Sequence, residues 1–304
     1  MPRLSLIIAT YNRSAELIRA LESVAAQSAD PSTWECVAVD NNSTDDTAAR
    51  FAEFAARYPA LSIRMVRETR QGLSYARNRG IAETSGEYIA IIDDDEHINR
   101  DFISAYIELF DSHPDAASAG GRIIAEYPSG RPAWMSRWTE QPIANPIDLG
   151  NEVCEFPAGR IPGGGNMALR RSAVERYGAF DTSLGRSGGK LTGGEESDLF
   201  QRLARGGERC MYAPQAVMWH VIPAAKLTDE YFDRLACNIG ATQRLRAQAG
   251  GRLTAAAAAE CAKWVATLAI AAWYTLCGRT AQARYLVRMR RRITAGFFNT
   301  AQTS

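Results

Sequence analysis

Residues 88–96, reading Tyr-Ile-Ala-Ile-Ile-Asp-Asp-Asp-Glu, constrain this chain most: a run without charge empties at once into four carboxylates. The apolar part has the length and β-branched content of a strand covered on both faces, as in a parallel sheet flanked by helices. Ligands of such sheets gather at the carboxyl ends of the strands. Asp93, Asp94, Asp95 and Glu96 therefore stand at the mouth of a cleft, where adjacent negative charges repel unless a divalent cation or a proton relieves them. Hard carboxylate oxygens suit Mg²⁺ or Mn²⁺. A solvated acidic turn after a strand is the plainer reading of the same residues.

The chain before this stretch repeats one unit. Residues 4–9 are apolar and stop at Thr10-Tyr11-Asn12-Arg13; Ser14 is placed to cap a helix through about Gln27, with Leu17, Leu21 and Val24 on one face. Residues 36–39 form a second strand, Asp40-Asn41-Asn42-Ser43-Thr44-Asp45 a second polar loop, and residues 47–58 a second helix. A third strand over 63–66 and a third helix over 72–83 follow. Such alternation means βαβ units and a mostly parallel sheet wound right-handed, with Thr10, Asp40 and Asp93 on one edge.

Beyond a helix at 102–112 and a strand at 117–125, periodicity fails from Tyr127 to Pro162, a segment rich in proline that carries Trp134 and Trp138. Long irregular segments inside a domain are usually functional or mobile. The tryptophans can stack on sugar rings or anchor packing. Gly163-Gly164-Gly165-Asn166 implies backbone packed closely against something, a phosphate or simply a turn. Gly193-Gly194-Glu195-Glu196 opens a helix over 199–204, where the acids serve the helix dipole or present a base to the cleft. Short strands at 210–212 and 216–218 around Pro214 lead to Trp219-His220, and the strand-end position keeps a metal role for His220 open.

A net charge of only +1 gives no reason to expect a nucleic-acid partner. Six cysteines without a C-x-x-C pair and an N-terminus that passes at once into a strand fit a reduced, cytoplasmic protein. From Leu227 onward the pattern is helical: 231–248, a Gly250-Gly251 break, then 255–277. The uncharged run 264–277 falls short of the roughly 20 residues of a spanning helix. It reads as buried or interfacial, and the Arg-rich 279–292 that follows either lies on an anionic membrane or presents a solvated basic face.

In sum, the residues Ile7-Ile8-Ala9-Thr10-Tyr11-Asn12-Arg13, Val39-Asp40-Asn41-Asn42-Ser43-Thr44-Asp45, Gln71-Gly72-Leu73-Ser74-Tyr75-Ala76-Arg77-Asn78-Arg79-Gly80, Asp93-Asp94-Asp95, Gly164-Gly165-Asn166 and Gly194-Glu195-Glu196 resemble the inverting family 2 glycosyltransferases of GT-A fold. The resemblance implies an α/β, Rossmann-like catalytic domain over residues 1–225 and a helical, basic extension over 226–304. It implies transfer of a sugar from a nucleotide sugar, a UDP-hexose such as UDP-glucose, to a glycan hydroxyl. Thr10, Asn12, Asp40, Arg77, Asp93 and Asp94 would hold the nucleotide sugar, with Arg77 near the diphosphate. Asp95, with His220 as a further ligand, would hold Mn²⁺ or Mg²⁺, and Glu196 would be the base. Trp134, Trp138, Gly165, Asn166 and Glu195 would face the acceptor.

Two departures stand out. Glu196 occupies a place where similar enzymes have Asp, which leaves Glu195 and Asp198 as rival bases. Asn41-Asn42 replaces a common Asp-Gly, a turn that asparagine can keep because it tolerates the left-handed conformation. A narrower resemblance, to glycosyltransferases of bacterial exopolysaccharides such as succinoglycan, implies a polyprenyl-diphosphate oligosaccharide acceptor and a peripheral place on the inner face of the cytoplasmic membrane. The competing readings are a sugar nucleotidyltransferase, which would want a Gly-rich basic loop after the first strand, and an inactive carbohydrate-binding scaffold on the same fold.

Overall fold

A computed structural model describes residues 1–185 and 193–299. The chain divides into two compact units, one of residues 1–124 and 146–221, the other of residues 125–145 and 222–304. The main run of the second unit begins at Ile222. The Pro/Trp segment 125–145 clusters with it.

The first unit opens with β1 (Leu4–Thr10), α1 (Ser14–Ala25), β2 (Trp34–Asp40), α2 (Thr47–Arg57), β3 (Ile63–Arg67), α3 (Leu73–Glu83) and β4 (Tyr88–Asp93). β1 pairs in parallel with β2 and β4, and β2 with β3. Every residue of β1 and β2 is buried, as expected of strands covered on both faces. One face packs Leu6, Ile8, Cys36, Ala38 and Ile92 under α1, and the other packs Ile7, Val37, Val39 and Ile91 with Ala76 and Ile81 of α3. Register places Thr10 beside Asp40 and Ala9 beside Asp93, so the polar strand ends share one edge.

After the Asp94-Asp95 turn come β5 (Glu96–Ile98), α4 (Phe102–Ser112), β6 (Ala116–Glu126), α5 (Arg137–Ala144), β7 (Cys154–Glu155), β8 (Met167–Arg170), α6 (Arg171–Tyr177), α7 (Glu195–Arg205) and β9 (Arg209–Val221). Among the described residues nine strands form one sheet in the order β3-β2-β1-β4-β8-β6-β9-β5, with β7 beside β9. The sheet is α/β as expected, with an antiparallel portion beyond β4.

Several local expectations need correction. Ser14 does not cap α1; Arg13 holds the N-cap position without a side-chain bond. The two short strands around Pro214 are one strand, β9. Its ladders to β7 and β5 lie on either side of Pro214, so the residue without an N–H stands where that edge changes partner. The irregular segment also contains α5, closed at its start by reciprocal Ser136 and Thr139 capping bonds despite Pro142 within it.

The second unit holds α5, α8 (Asp229–Ala249), α9 (Leu253–Leu276) and α10 (Thr280–Phe298). Glycines bring α8 and α10 together: a Cβ on Gly240 would stand 1.9 Å from the Ile293 carbonyl oxygen, and one on Gly296 1.9 Å from that of Cys237. Trp134 stacks on Tyr285 at 4.3 Å between ring centroids and meets Phe232 edge-on, so it is a packing anchor rather than an open platform for a sugar. Trp138 is exposed, beneath Arg137.

Candidate active site

The edge shared by β1, β2 and β4 collects carboxylates around two arginines. One oxygen each from Asp93, Asp95 and Glu96 lies within 4.8 Å of the others. β4 delivers Asp93, the turn Asp95, and the start of β5 Glu96, whose Oε2 accepts the Asp93 backbone N–H at 2.8 Å. Burial, then the charges of Asp93 and Asp95, push Glu96 well above the usual carboxylate range. Crowded hard oxygens that resist joint ionisation are the donor set a divalent cation fits. Glu96, left without a role by the sequence, is thus part of the cluster.

His220 stands opposite Glu96 in the β5–β9 ladder, its Nε2 3.9 Å from Asp95 Oδ2. Two atoms at that separation can share one ion.

Arg77 occupies the centre. Its side chain is fully buried on α3 and donates to Asp93 Oδ1 at 3.0 Å, Glu196 Oε1 at 2.9 Å, Glu195 Oε1 at 3.4 Å and the Gly164 carbonyl at 3.2 Å. This corrects the expectation of an arm reaching for a diphosphate, because the guanidinium is enclosed by carboxylates. Arg13, unassigned from sequence, is the half-exposed cation at the rim: its NH1 donates to Asp94 Oδ1 at 3.0 Å and Asp95 Oδ2 at 3.1 Å.

Asp94 is buried and also accepts from the Thr10 hydroxyl at 2.8 Å. Burial pushes it up to about 7, with Arg13 opposing. Both residues, expected on the nucleotide, are bonded to each other. Asp40 Oδ1 accepts the Ser43 N–H at 2.8 Å and closes the loop after β2, while Asn12 Oδ1 accepts the Thr44 N–H at 2.7 Å and ties the loop after β1 to it. Asn12 and Asn42 take the left-handed conformation, at φ 52° and 70°, which keeps the turn anticipated for Asn41-Asn42. The Asn41 side chain bridges to the carbonyls of Glu68 and Arg70 and to the Gly72 N–H, fixing the approach to α3.

Gly194, at φ 125°, starts α7, which carries Glu195 and Glu196 in its first turn. Burial and the neighbouring Glu196 charge push Glu195 up to about 7, and its Oε2 is buried without a hydrogen-bond partner among the described residues. For Glu196, burial alone would raise the pKa, but the Arg77 charge and hydrogen bond outweigh it and hold the carboxyl below its ordinary value. Of the pair, Glu196 is the ionised member. Asp198 is turned away onto Arg202 at 2.9 Å.

The glycine run packs against these acids. A Cβ at Gly165 would stand 1.9 Å from Glu96 Oε1, and one at Gly164 2.1 Å from Glu196 Oε1. Asn166, expected at an acceptor, is fully buried: it accepts from the Tyr106 hydroxyl at 2.5 Å and donates to the carbonyls of Arg122 and Ala216 at 3.0 Å. It is a framework residue.

Comparison with known proteins supplies the family. The family model for glycosyl transferase family 2 matches residues 5–178, more than half of the chain. A glucosyl-dolichyl phosphate glucuronosyltransferase of Haloferax volcanii is 26% identical over 72% of this chain and 69% of its own length. Succinoglycan biosynthesis protein ExoM of Rhizobium meliloti is 27% identical over 71% of this chain and 66% of its own length. Among solved structures, a mannosyltransferase of Pyrobaculum calidifontis, in complex with GDP-Man and Mn²⁺, superposes with a TM-score of 0.60 at 20% identity, covering 96% of this chain and 87% of that one. The family match over β1 to α6 and the shared fold agree, and the chain belongs to glycosyl transferase family 2: it is a glycosyltransferase of GT-A fold.

Proposed function

We propose that the enzyme transfers a hexose from a nucleotide sugar, with inversion at the anomeric carbon, to a hydroxyl of a lipid-linked glycan. The observation that carries this reading is the charge arrangement around Arg77. Asp93, Asp95 and Glu96 lie on one side, while Glu196, held low by Arg77, lies beside Glu195, pushed up to about 7, on the other.

Asp93, Asp95 and Glu96, with His220 completing the set, would hold Mg²⁺ or Mn²⁺. When bound, such an ion supplies Lewis-acid stabilisation of the departing diphosphate. Arg13 sits where its exposed guanidinium can pair with phosphate oxygens, the role sequence gave to Arg77. Asp40 and Asn12 shape the loops that would receive the nucleoside.

Glu196 takes the proton of the acceptor hydroxyl as that oxygen bonds to the anomeric carbon and the bond to the diphosphate breaks. Arg77 holds Glu196 in its ionised form and fixes its orientation. The pull that keeps Glu196 ionised also weakens it as a base, so loosening of the Arg77 contact in the donor complex would strengthen it.

A lipid-linked acceptor is favoured by the named substrate of the Haloferax relative, and a UDP-hexose donor by the exopolysaccharide resemblance. With such an acceptor the protein belongs on the inner face of the cytoplasmic membrane. A thermal-shift panel of UDP-, GDP- and dTDP-sugars with Mn²⁺ tests the donor. A UDP-hexose is expected to raise Tm only with metal present, and a shift confined to another nucleotide, or one indifferent to chelator, contradicts that part.

A further inference from the structure

The three C-terminal helices place their charges in an unusual way. The buried side of α9 carries Glu260, Thr267, Ala271 and Tyr274. Glu260 is paired there with Lys263 at 2.6 Å and with Arg290 of α10 at 3.3 Å. Thr267 accepts from Arg290, and the Trp264 indole donates to Thr294 at 3.0 Å. The opposite side is apolar and open: Val265 is 71% exposed, Leu268 54%, Trp273 63% and Leu276 83%. With Ala269 and Ala272 these fall at i, i+3, i+4, i+7, i+8 and i+11, one stripe of a helix. A helix of a water-soluble bundle turns its apolar stripe inward and its charges outward. Here the order is reversed.

Three of the five arginines of α10 are correspondingly occupied. Arg288 and Arg292 bind Asp233, Arg288 also binds Asp229, and Arg290 binds Glu260. The membrane contact expected from a basic tail therefore has fewer uncommitted cations than its sequence suggests.

We propose that the outward stripe of α9 is a docking surface for the acyl region of an anionic lipid monolayer, with the helix lying in the plane of the interface. The proposal refines the membrane-proximal reading above and rests on it for its biological sense. Three observations choose lipid over a protein partner. The stripe ends in an exposed Trp273, an interfacial residue type. Exposed Arg252 and Arg279 bracket the two ends of α9, and Arg284 and Arg291 of α10 are exposed as well, a complement to anionic headgroups. The stripe itself carries no charge or hydrogen-bonding side chain beyond the indole, so a partner protein would find nothing polar to fix its register.

Length and composition alone would let α9 cross a membrane. Its buried Glu260 and the pair it makes with Arg290 of α10 argue against that, since a spanning α9 would draw both charges toward hydrocarbon.

The test uses the full chain and vesicles of phosphatidylethanolamine and phosphatidylglycerol. Wild type is expected to co-sediment, and to remain partly bound at about 0.5 M salt, where surface electrostatics are screened. Leu268→Asp/Leu276→Asp is expected to weaken binding at least roughly tenfold, and Arg284→Ala/Arg291→Ala to weaken it less and mainly at low salt. Vesicles with brominated acyl chains should quench wild-type tryptophan fluorescence, and Trp273→Phe should remove most of that quenching; this readout needs no disruptive variant. Unchanged binding in the double Asp variant overturns the proposal, as does a wild-type dimer that the variant dissociates without any vesicle binding, which would make a second copy the occupant. The donor-induced thermal shift is read on the same samples. If it survives when vesicle binding fails, only the docking surface falls; if it fails while binding persists, the docking surface stands and the donor reading falls.

Discussion

Both units bury a charged side chain among opposite charges, Arg77 in one and Glu260 in the other, yet the two burials differ in sign. At the strand ends Arg77 faces Asp93, Glu195 and Glu196, so negative charge is in excess. In the helical unit Glu260 faces Lys263 and Arg290, so positive charge is in excess and one cation reaches water. A buried pair that balances, or that leaves its surplus at the surface, serves packing. A surplus of carboxylates around a buried arginine is costly by itself and marks a functional site.

That contrast can be broken by substitution. Asp95→Ala is expected to lower turnover about a thousandfold and to abolish Mn²⁺ binding by titration calorimetry; full cation affinity would remove the cluster from the mechanism. Arg77→Met leaves three carboxylates facing one another and is expected to cost about 3–5 kcal/mol in denaturant unfolding. Glu260→Gln leaves a lysine that can rehydrate and should cost only about 1–2 kcal/mol. Equal losses would erase the distinction between the two clusters.

The smallest effect is a pH dependence. Glu195 keeps its proton in the fold up to about 7. Between the ordinary carboxylate range and that value the unfolded chain binds fewer protons than the native one, so stability falls as pH rises through the window. Relative to Glu195→Gln, the wild-type Tm should drop on going from pH 5 to pH 8. A constant difference would mean that Glu195 is ionised throughout.

The comparison also separates what the sequence makes legible from what it hides. β1, β2 and β4 are readable within one or two residues because their cores are largely apolar and buried on both faces; β3, half-buried and interrupted by Arg64, is legible from its place in the alternation. β9 reads as two pieces because Pro214 suggests a stop, whereas the ladder merely changes partner there. The acidic cluster is visible as a chemical type, but the roles of Glu96, Arg13 and Arg77 depend on which atoms meet across β1, β4, α3 and α7. Asn166 shows the opposite failure: it sits in a functional motif, and its side chain is spent on Tyr106, Arg122 and Ala216. In α9 an uncharged run suggests burial, and only packing shows that its polar side is the one turned inward.

The central claim is that Glu196, held ionised by Arg77, is the base. Steady-state transfer by Glu196→Gln, with donor affinity measured on the same protein, tests it most directly. A fall in kcat of about 10²- to 10⁴-fold with donor Kd unchanged is expected. Turnover within a few fold of wild type would contradict it.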